Sequence, residues 1–215
     1  MNKLFLSALA LALLSFAGLT PSFAQSATAS APAASADKTA PSYDMKAQSL
    51  LDLDLQNKKV ISLAEVLPQD KFNWRPSPDA RSFAEVFLHV SGERYAILAL
   101  GGATPPAGFD AKTYEKSTTD KAAIIAELKK SNDFMQSTIN AMTNADFAKL
   151  LPKLGPEANA GDVIYILVAD CHEHMGQLVA YARENGIVPP WTVAAQKAAA
   201  EKKAADAAKA KEAKQ

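Results

Sequence analysis

The sequence predicts an all-α protein built on an antiparallel four-helix bundle. Three observations carry this. Four long stretches repeat apolar residues at helical spacing. No stretch alternates apolar and polar residues as a half-buried strand does. The breaks between the stretches fall at Pro and Gly. With 215 residues, 48% of them hydrophobic, the chain has enough apolar surface for one domain with a real core plus tails. Lys+Arg and Asp+Glu both number 23, so no basic excess points to nucleic acid.

The chain divides into four segments. Lys3 precedes an uncharged run from Leu4 to Ala17, and Pro21-Ser22-Phe23-Ala24 follows with small residues. Residues 1–24 therefore read as a signal peptide cleaved after Ala24, which predicts a periplasmic protein with no stable membrane span after cleavage. A leader left uncleaved would attach the chain to the membrane instead. Residues 25–42, rich in Ala, Ser, Thr and Pro, read as a disordered spacer. Residues 43–191 hold the bundle. Residues 192–215, nearly all Ala, Lys, Glu, Asp and Gln, read as a solvated, partly helical tail.

The first helix is expected from about Met45 to Val66, with Leu50, Leu53, Val60, Leu63 and Leu67 as its stripe and Pro68 as its stop. The second runs from Ser82 to about Leu98. Ser82 and Glu85 form a capping box, and Gly101-Gly102 stops the helix. The third spans about Thr119 to Met142, on Ile124, Ile125, Leu128, Phe134 and Ile139. The fourth spans about Asn159 to Asn185, on Ile164, Leu167, Val168, Cys171, Met175, Leu178 and Ala182, with Gly186 closing it. The connection carrying Trp74 and the one from Gly101 to Lys116 are long enough to cap a site; the plainer reading is that Trp74 and Phe109 cover the bundle ends. Cys171, the only cysteine, excludes an internal disulfide and falls on the apolar stripe as a buried thiol.

Three histidines are available to chemistry. At roughly 100° per residue, Asp170, His174 and Tyr181 fall on one edge of the fourth helix's stripe, and His172 falls on the opposite edge. Asp170 and His174, at i and i+4, can hold one metal together. His89 lies at the margin of the second helix's apolar face, where a side chain can enter a cleft. One carboxylate and two imidazoles make a sensible ligand set for Zn²⁺, Ni²⁺, Fe²⁺ or Mn²⁺. Set against this, Asp170 and His174 can be a plain i,i+4 pair and His89 a bundle-edge residue. Glu85 and Glu93, one turn either side of His89, are candidate acceptors to orient it, weighed against solvated helix carboxylates. Tyr181 is a candidate hydrogen-bond donor near the metal, weighed against edge packing.

Two blocks of sequence resemble the DinB-like family. Trp74-Arg75-Pro76-Ser77-Pro78, then Arg81-Ser82-Phe83-Ala84-Glu85 leading to Leu88-His89-Val90, is similar to that family's entry to helix two. His174-Met175-Gly176-Gln177-Leu178, then Tyr181-Ala182-Arg183 and Asn185 to Trp191, is similar to its last helix and exit. The resemblance covers about residues 45 to 191. It implies a four-helix bundle, often a homodimer, holding a divalent metal through three histidines. One of these maps onto His89. An H-x-x-x-H pair on the last helix maps onto Asp170 and His174, so this chain has aspartate where the family commonly has histidine. A local distortion recruiting His172 is the other way to complete the site. The resemblance implies a metal-dependent hydrolase or thiol S-transferase acting on a small molecule. The contrasting expectation is a non-catalytic helical binding module with a degenerate metal site.

Overall fold

The computed structural model describes residues 44–212, so the expected signal peptide and nearly all of the spacer lie outside the described residues. Among the described residues there are six α-helices: α1 (Met45–Val66), α2 (Phe83–Leu100), α3 (Lys121–Ala141), a short α4 (Asn144–Phe147), α5 (Ala160–Glu184) and α6 (Pro190–Glu212). No named strand occurs among the described residues; one isolated bridge joins Leu150 to Asn159. The helices begin where side chains satisfy the first free N–H groups. Asp44 caps α1, Asp120 caps α3, and capping boxes start α2 (Ser82 with Glu85) and α5 (Asn159 with Asp162). Gly186 follows α5 at φ 71°, a left-handed position that suits glycine. Pro190 does not prolong α5. It opens α6, where a missing N–H costs nothing.

Helices α1, α2, α3 and α5 form the bundle. α1 packs against α3 and α5, and so does α2, which leaves α1 and α2 diagonal. The core lies in two stacked clusters. One joins Phe83 and Phe87 of α2 and Ile124 and Leu128 of α3 to Val60 and Leu63 near the end of α1 and Leu178 and Ala182 near the end of α5. The other joins Ile97, Leu98, Met135 and Ile139 to Leu53, Val163, Ile164 and Cys171. The first halves of α2 and α3 thus meet the second halves of α1 and α5. Two helices run each way, with α2 and α3 parallel to each other. Lysines fasten the ends: Lys46 Nζ donates to the Asn140 and Met142 carbonyls, both at 2.6 Å, and Lys121 Nζ to those of Glu65 (2.7 Å) and Leu67 (2.9 Å).

This arrangement explains the length of the α2–α3 connection. A parallel pair cannot be joined by a tight turn. The chain leaving Leu100 must travel back beside the bundle, roughly 27 Å for 18 helical residues, before α3 can start. On the way it lays Phe109 and Tyr114 against Tyr95, with centroids 5.2 and 6.0 Å away. Gly92 makes room for it; a Cβ there would stand 3.1 Å from Tyr114 Cδ1. Trp74 packs on Phe83 and Tyr181 at 5.8 and 5.3 Å. Both aromatic residues therefore brace the flank of α2 and the α2–α5 seam.

Among the described residues, one cation is wholly buried. Arg94 donates from Nη1 to the Leu128 carbonyl and Ser131 Oγ, both at 3.0 Å, and from Nη2 to Asn57 Oδ1 at 3.2 Å, while Nε has no partner. Cys171 is buried, and burial pushes its thiol pKa up against the pull of Arg94. α6 is exposed from Val193 to Lys211, and only its first turn touches the bundle, with Lys59 Nζ 6.0 Å from the Trp191 ring. No helix among the described residues is long and apolar enough to cross a membrane.

Candidate metal centre

His89 sits in the second turn of α2, with Asp170 and His174 one turn apart on the facing side of α5. The structure brings all three together: one ligand atom from each lies within 4.8 Å of the others. The imidazole rings stand edge to face, with centroids 4.4 Å apart at 86°. His172 is elsewhere. It lies across the α5 wheel, 49% exposed, with Nε2 2.8 Å from Asp52 Oδ2 of α1. A regular helix separates His172 from His174 by about 200°, so His172 faces α1 while His174 faces α2.

Hydrogen bonds fix which nitrogen of each imidazole faces the site. Nδ1 of His89 donates to Glu115 Oε1 at 2.5 Å. Nδ1 of His174 donates to Gln177 Oε1 at 3.0 Å, and Gln177 Nε2 donates onward to Tyr181 Oη at 3.0 Å. Both Nδ1 atoms are thereby engaged, and both Nε2 atoms face the shared space, where His174 Nε2 would have to give up its proton to ligate a cation. His174 Nε2 lies 3.2 Å from Asp170 Oδ1, and His89 Nε2 lies 3.7 Å from Glu93 Oε1. Metal bonds of ~2.0–2.2 Å put neighbouring donors roughly 3–3.4 Å apart, so the Asp170–His174 pair is already spaced as ligands and His89 needs only a small approach. A second tier of acceptors behind ligating histidines is the usual companion of a metal site. The residues present fit a divalent cation.

Charge in the second tier is arranged to keep Glu115 ionised. Arg81 grips it with Nε on Oε2 at 2.8 Å and Nη2 on Oε1 at 3.2 Å. Burial alone would raise the Glu115 pKa, but Arg81 and His89 outweigh it and hold it low. Glu93 goes the other way: burial raises its pKa, with Asp170 and Glu115 adding like charge. For His174, burial opposes charging, yet the hydrogen bonds to Asp170 and Gln177 prevail and its pKa is raised.

Two of the sequence expectations find different places. Glu85 does not touch His89. Its carboxylate accepts from the Ser82 N–H at 2.7 Å and pairs with Arg75 at 3.0 Å, so capping uses it fully. Tyr181 reaches the centre only through Gln177. The two groups that do orient the histidines, Glu115 and Gln177, were not singled out. Glu115 comes from a connection with no periodicity to place it. Gln177 is one turn beyond His174, a spacing that could have found it.

The space around the centre has two parts. Directly beside His89 a depression of about 20 Å³ is bounded by Glu93, Phe109, Tyr114 and Glu115. A wide polar groove of about 550 Å³ adjoins it, with Arg75, Arg81, Lys116 and Gln177 on its walls.

A family model described as the DinB superfamily matches residues 52–178. No curated protein matches the chain. Among solved structures, a conserved protein from Enterococcus faecalis is similar at TM-score 0.56 and 16% identity, over 66% of this chain and 97% of that one. YfiT from Bacillus subtilis is similar at TM-score 0.54 and 14% identity, over 70% of this chain and 93% of that one. That protein is described as a probable metal-dependent hydrolase with an unusual four-helix bundle topology.

Proposed function

Since the chain belongs to the DinB superfamily, we propose that it is a metal-dependent enzyme of the periplasm, a hydrolase or thiol S-transferase acting on a small molecule. The observation that carries this reading is the paired tautomer control. Glu115 and Gln177 occupy both Nδ1 atoms, which leaves the Nε2 edges of His89 and His174 for the space shared with the Asp170 carboxylate. Such a set binds Zn²⁺, Ni²⁺, Fe²⁺ or Mn²⁺ and leaves coordination positions free. A divalent cation held there supplies Lewis acidity to a water or thiol nucleophile. The chain's own residues do the rest. His89 and His174 would hold the cation through Nε2, their Nδ1 atoms staying on Glu115 and Gln177. Asp170 lowers the net charge of the site. Glu93 lines the same space and is the group placed to accept a proton there. The wide groove beside Gln177 admits the substrate.

A second reading is a non-catalytic binding module on a degenerate site. The small depression at His89, walled by Phe109 and Tyr114, favours it, because little room remains for a substrate from that side.

Elemental analysis of the mature protein, beside His89→Ala and His174→Ala, tests the first reading. Near one metal per chain in the parent and far less in both variants supports it. A parent that takes up none of Zn²⁺, Ni²⁺, Fe²⁺ or Mn²⁺ overturns it. With metal present, turnover of ester, amide or thiol-transfer substrates separates enzyme from binding module. Periplasmic location rests on residues 1–24 and is checked by the mass of the mature chain.

A further inference from the structure

The end of the bundle away from the metal centre carries an apolar trough. Three of the large hydrophobic side chains exposed on this protein gather there: Leu100 (49% exposed), Leu150 (58%) and Leu154 (39%). With Leu151 and Pro152 they bound a groove of about 530 Å³. A second hollow of about 230 Å³, lined by Leu98, Met142, Val163 and Ile164, lies next to it. The two share Gly101, Gly102 and Lys149, so they meet where two glycines lie beside one lysine. At Gly102, which has φ 100°, a Cβ would meet nothing within 4 Å.

Charge at the trough is positive on balance. Lys149 and Lys153 stand on its rim; Lys149 also helps to hold the Asp146 carboxylate ionised. The one carboxylate on the walls, Asp146, lines the smaller hollow only, and its Oδ2 accepts from both the backbone N–H and the hydroxyl of Thr143, each at 2.7 Å; it stays ionised, so the two lysines leave the trough a net positive charge of one. An apolar cleft with a few convergent polar groups is the usual form of a small-ligand site. Lysine stems lie along apolar surface while their heads stay in water, which places cations just where a tail ends.

We propose that this trough binds a single-chain anionic amphiphile, with its tail along the leucines and over the two glycines and its acid head between Lys149 and Lys153. The site is distinct from the metal centre, since Leu100 lies eleven positions beyond His89, roughly 16 Å along α2. It does not depend on the metal reading.

Calorimetric titration with dodecanoate, kept below its micelle concentration, tests this. One equivalent binds the parent saturably. Lys149→Glu with Lys153→Glu weakens binding at least tenfold, and so does Leu150→Asp with Leu154→Asp. All four positions are exposed, so thermal unfolding and metal content stay as in the parent. Dodecyl maltoside, with the same tail and no charge, binds at least tenfold more weakly. The proposal is overturned by a parent that shows no saturable uptake, by equal uptake of the maltoside, or by a lysine variant that binds as tightly as the parent. It is also overturned if the parent sediments as a dimer that Leu150→Asp dissociates, because the trough would then be covered by a second copy. Pelleting with anionic vesicles in the absence of dodecanoate binding overturns it as well.

Discussion

Glu115 meets His89 from 26 residues away, with its Oε1 2.5 Å from Nδ1, and this contact decides which face of the imidazole the site receives. Arg81 holds the same carboxylate from the other side. Removing the acceptor frees the ring to turn or change tautomer. Glu115→Ala should weaken metal binding by ~10–100-fold, with Glu115→Gln losing less, because an amide oxygen still accepts from Nδ1. Competition against a chromophoric chelator measures this. An alanine variant as tight as the parent would show that the contact does not position His89.

Gly92→Ala separates helix preference from site assembly. Alanine favours a helix interior by ~1 kcal/mol over glycine. Here the new methyl would lie 3.1 Å from Tyr114, whose hydroxyl is tied to Glu127 at 2.7 Å and whose ring lies against Phe109. The ring cannot retreat freely, so overpacking should cost more than the helix gains. Both thermal stability and metal affinity should fall. A variant more stable than the parent would mean that the connection yields easily.

Acid sensitivity should trace partly to Glu85. Burial opposes its ionisation, but the Ser82 N–H and Arg75 prevail and its pKa is lowered. A lowered folded-state pKa gives stability that is present above the ordinary carboxylate value and lost as pH falls through the folded value. Glu85→Gln should therefore be less stable than the parent at neutral pH by ~1 kcal/mol, with the gap closing at acid pH. Urea unfolding at a series of pH values checks this. A gap independent of pH would assign the loss to packing rather than to charge.

Arg94 gives a contrast between two substitutions. Arg94→Ala leaves a cavity and strands the acceptors on Leu128 and Asn57, which should cost ~3 kcal/mol or more. Arg94→Met strands the same acceptors but refills most of the volume, so it should cost ~1–2 kcal/mol less than alanine. Equal losses in denaturant unfolding would show that hydrogen bonding, and not volume, is what Arg94 contributes.

The helices were legible because each carries its own signals. Met45 to Val66 is bounded as the stripe and Pro68 imply, and the Ser82–Glu85 box starts α2. The wheel also separated Asp170 and His174 from His172, a distinction that closeness in sequence would have hidden. Helix direction was not legible. Nothing local in α2 or α3 states that they run the same way, since that follows only from which ends share a core. Glu115 was hidden for the same reason. Periodicity places residues on helices, whereas a connection is placed by the elements it must join. Glu85 shows the limit of spacing, because one carboxylate satisfied two patterns and the cap took it.

The parallel course of α2 and α3 has a consequence for tolerated change. Surface connections ordinarily accept insertions and deletions freely. Residues 101–120 cannot do so evenly. Spanning roughly 27 Å needs about eight extended residues, so the segment has slack in total length. The count from Gly102 to Glu115 nevertheless sets where a carboxylate arrives beside His89, whereas the stretch from Lys116 to Asp120 only has to reach α3. Length variation among related chains should therefore concentrate after Glu115, and the stretch before it should behave like part of the core.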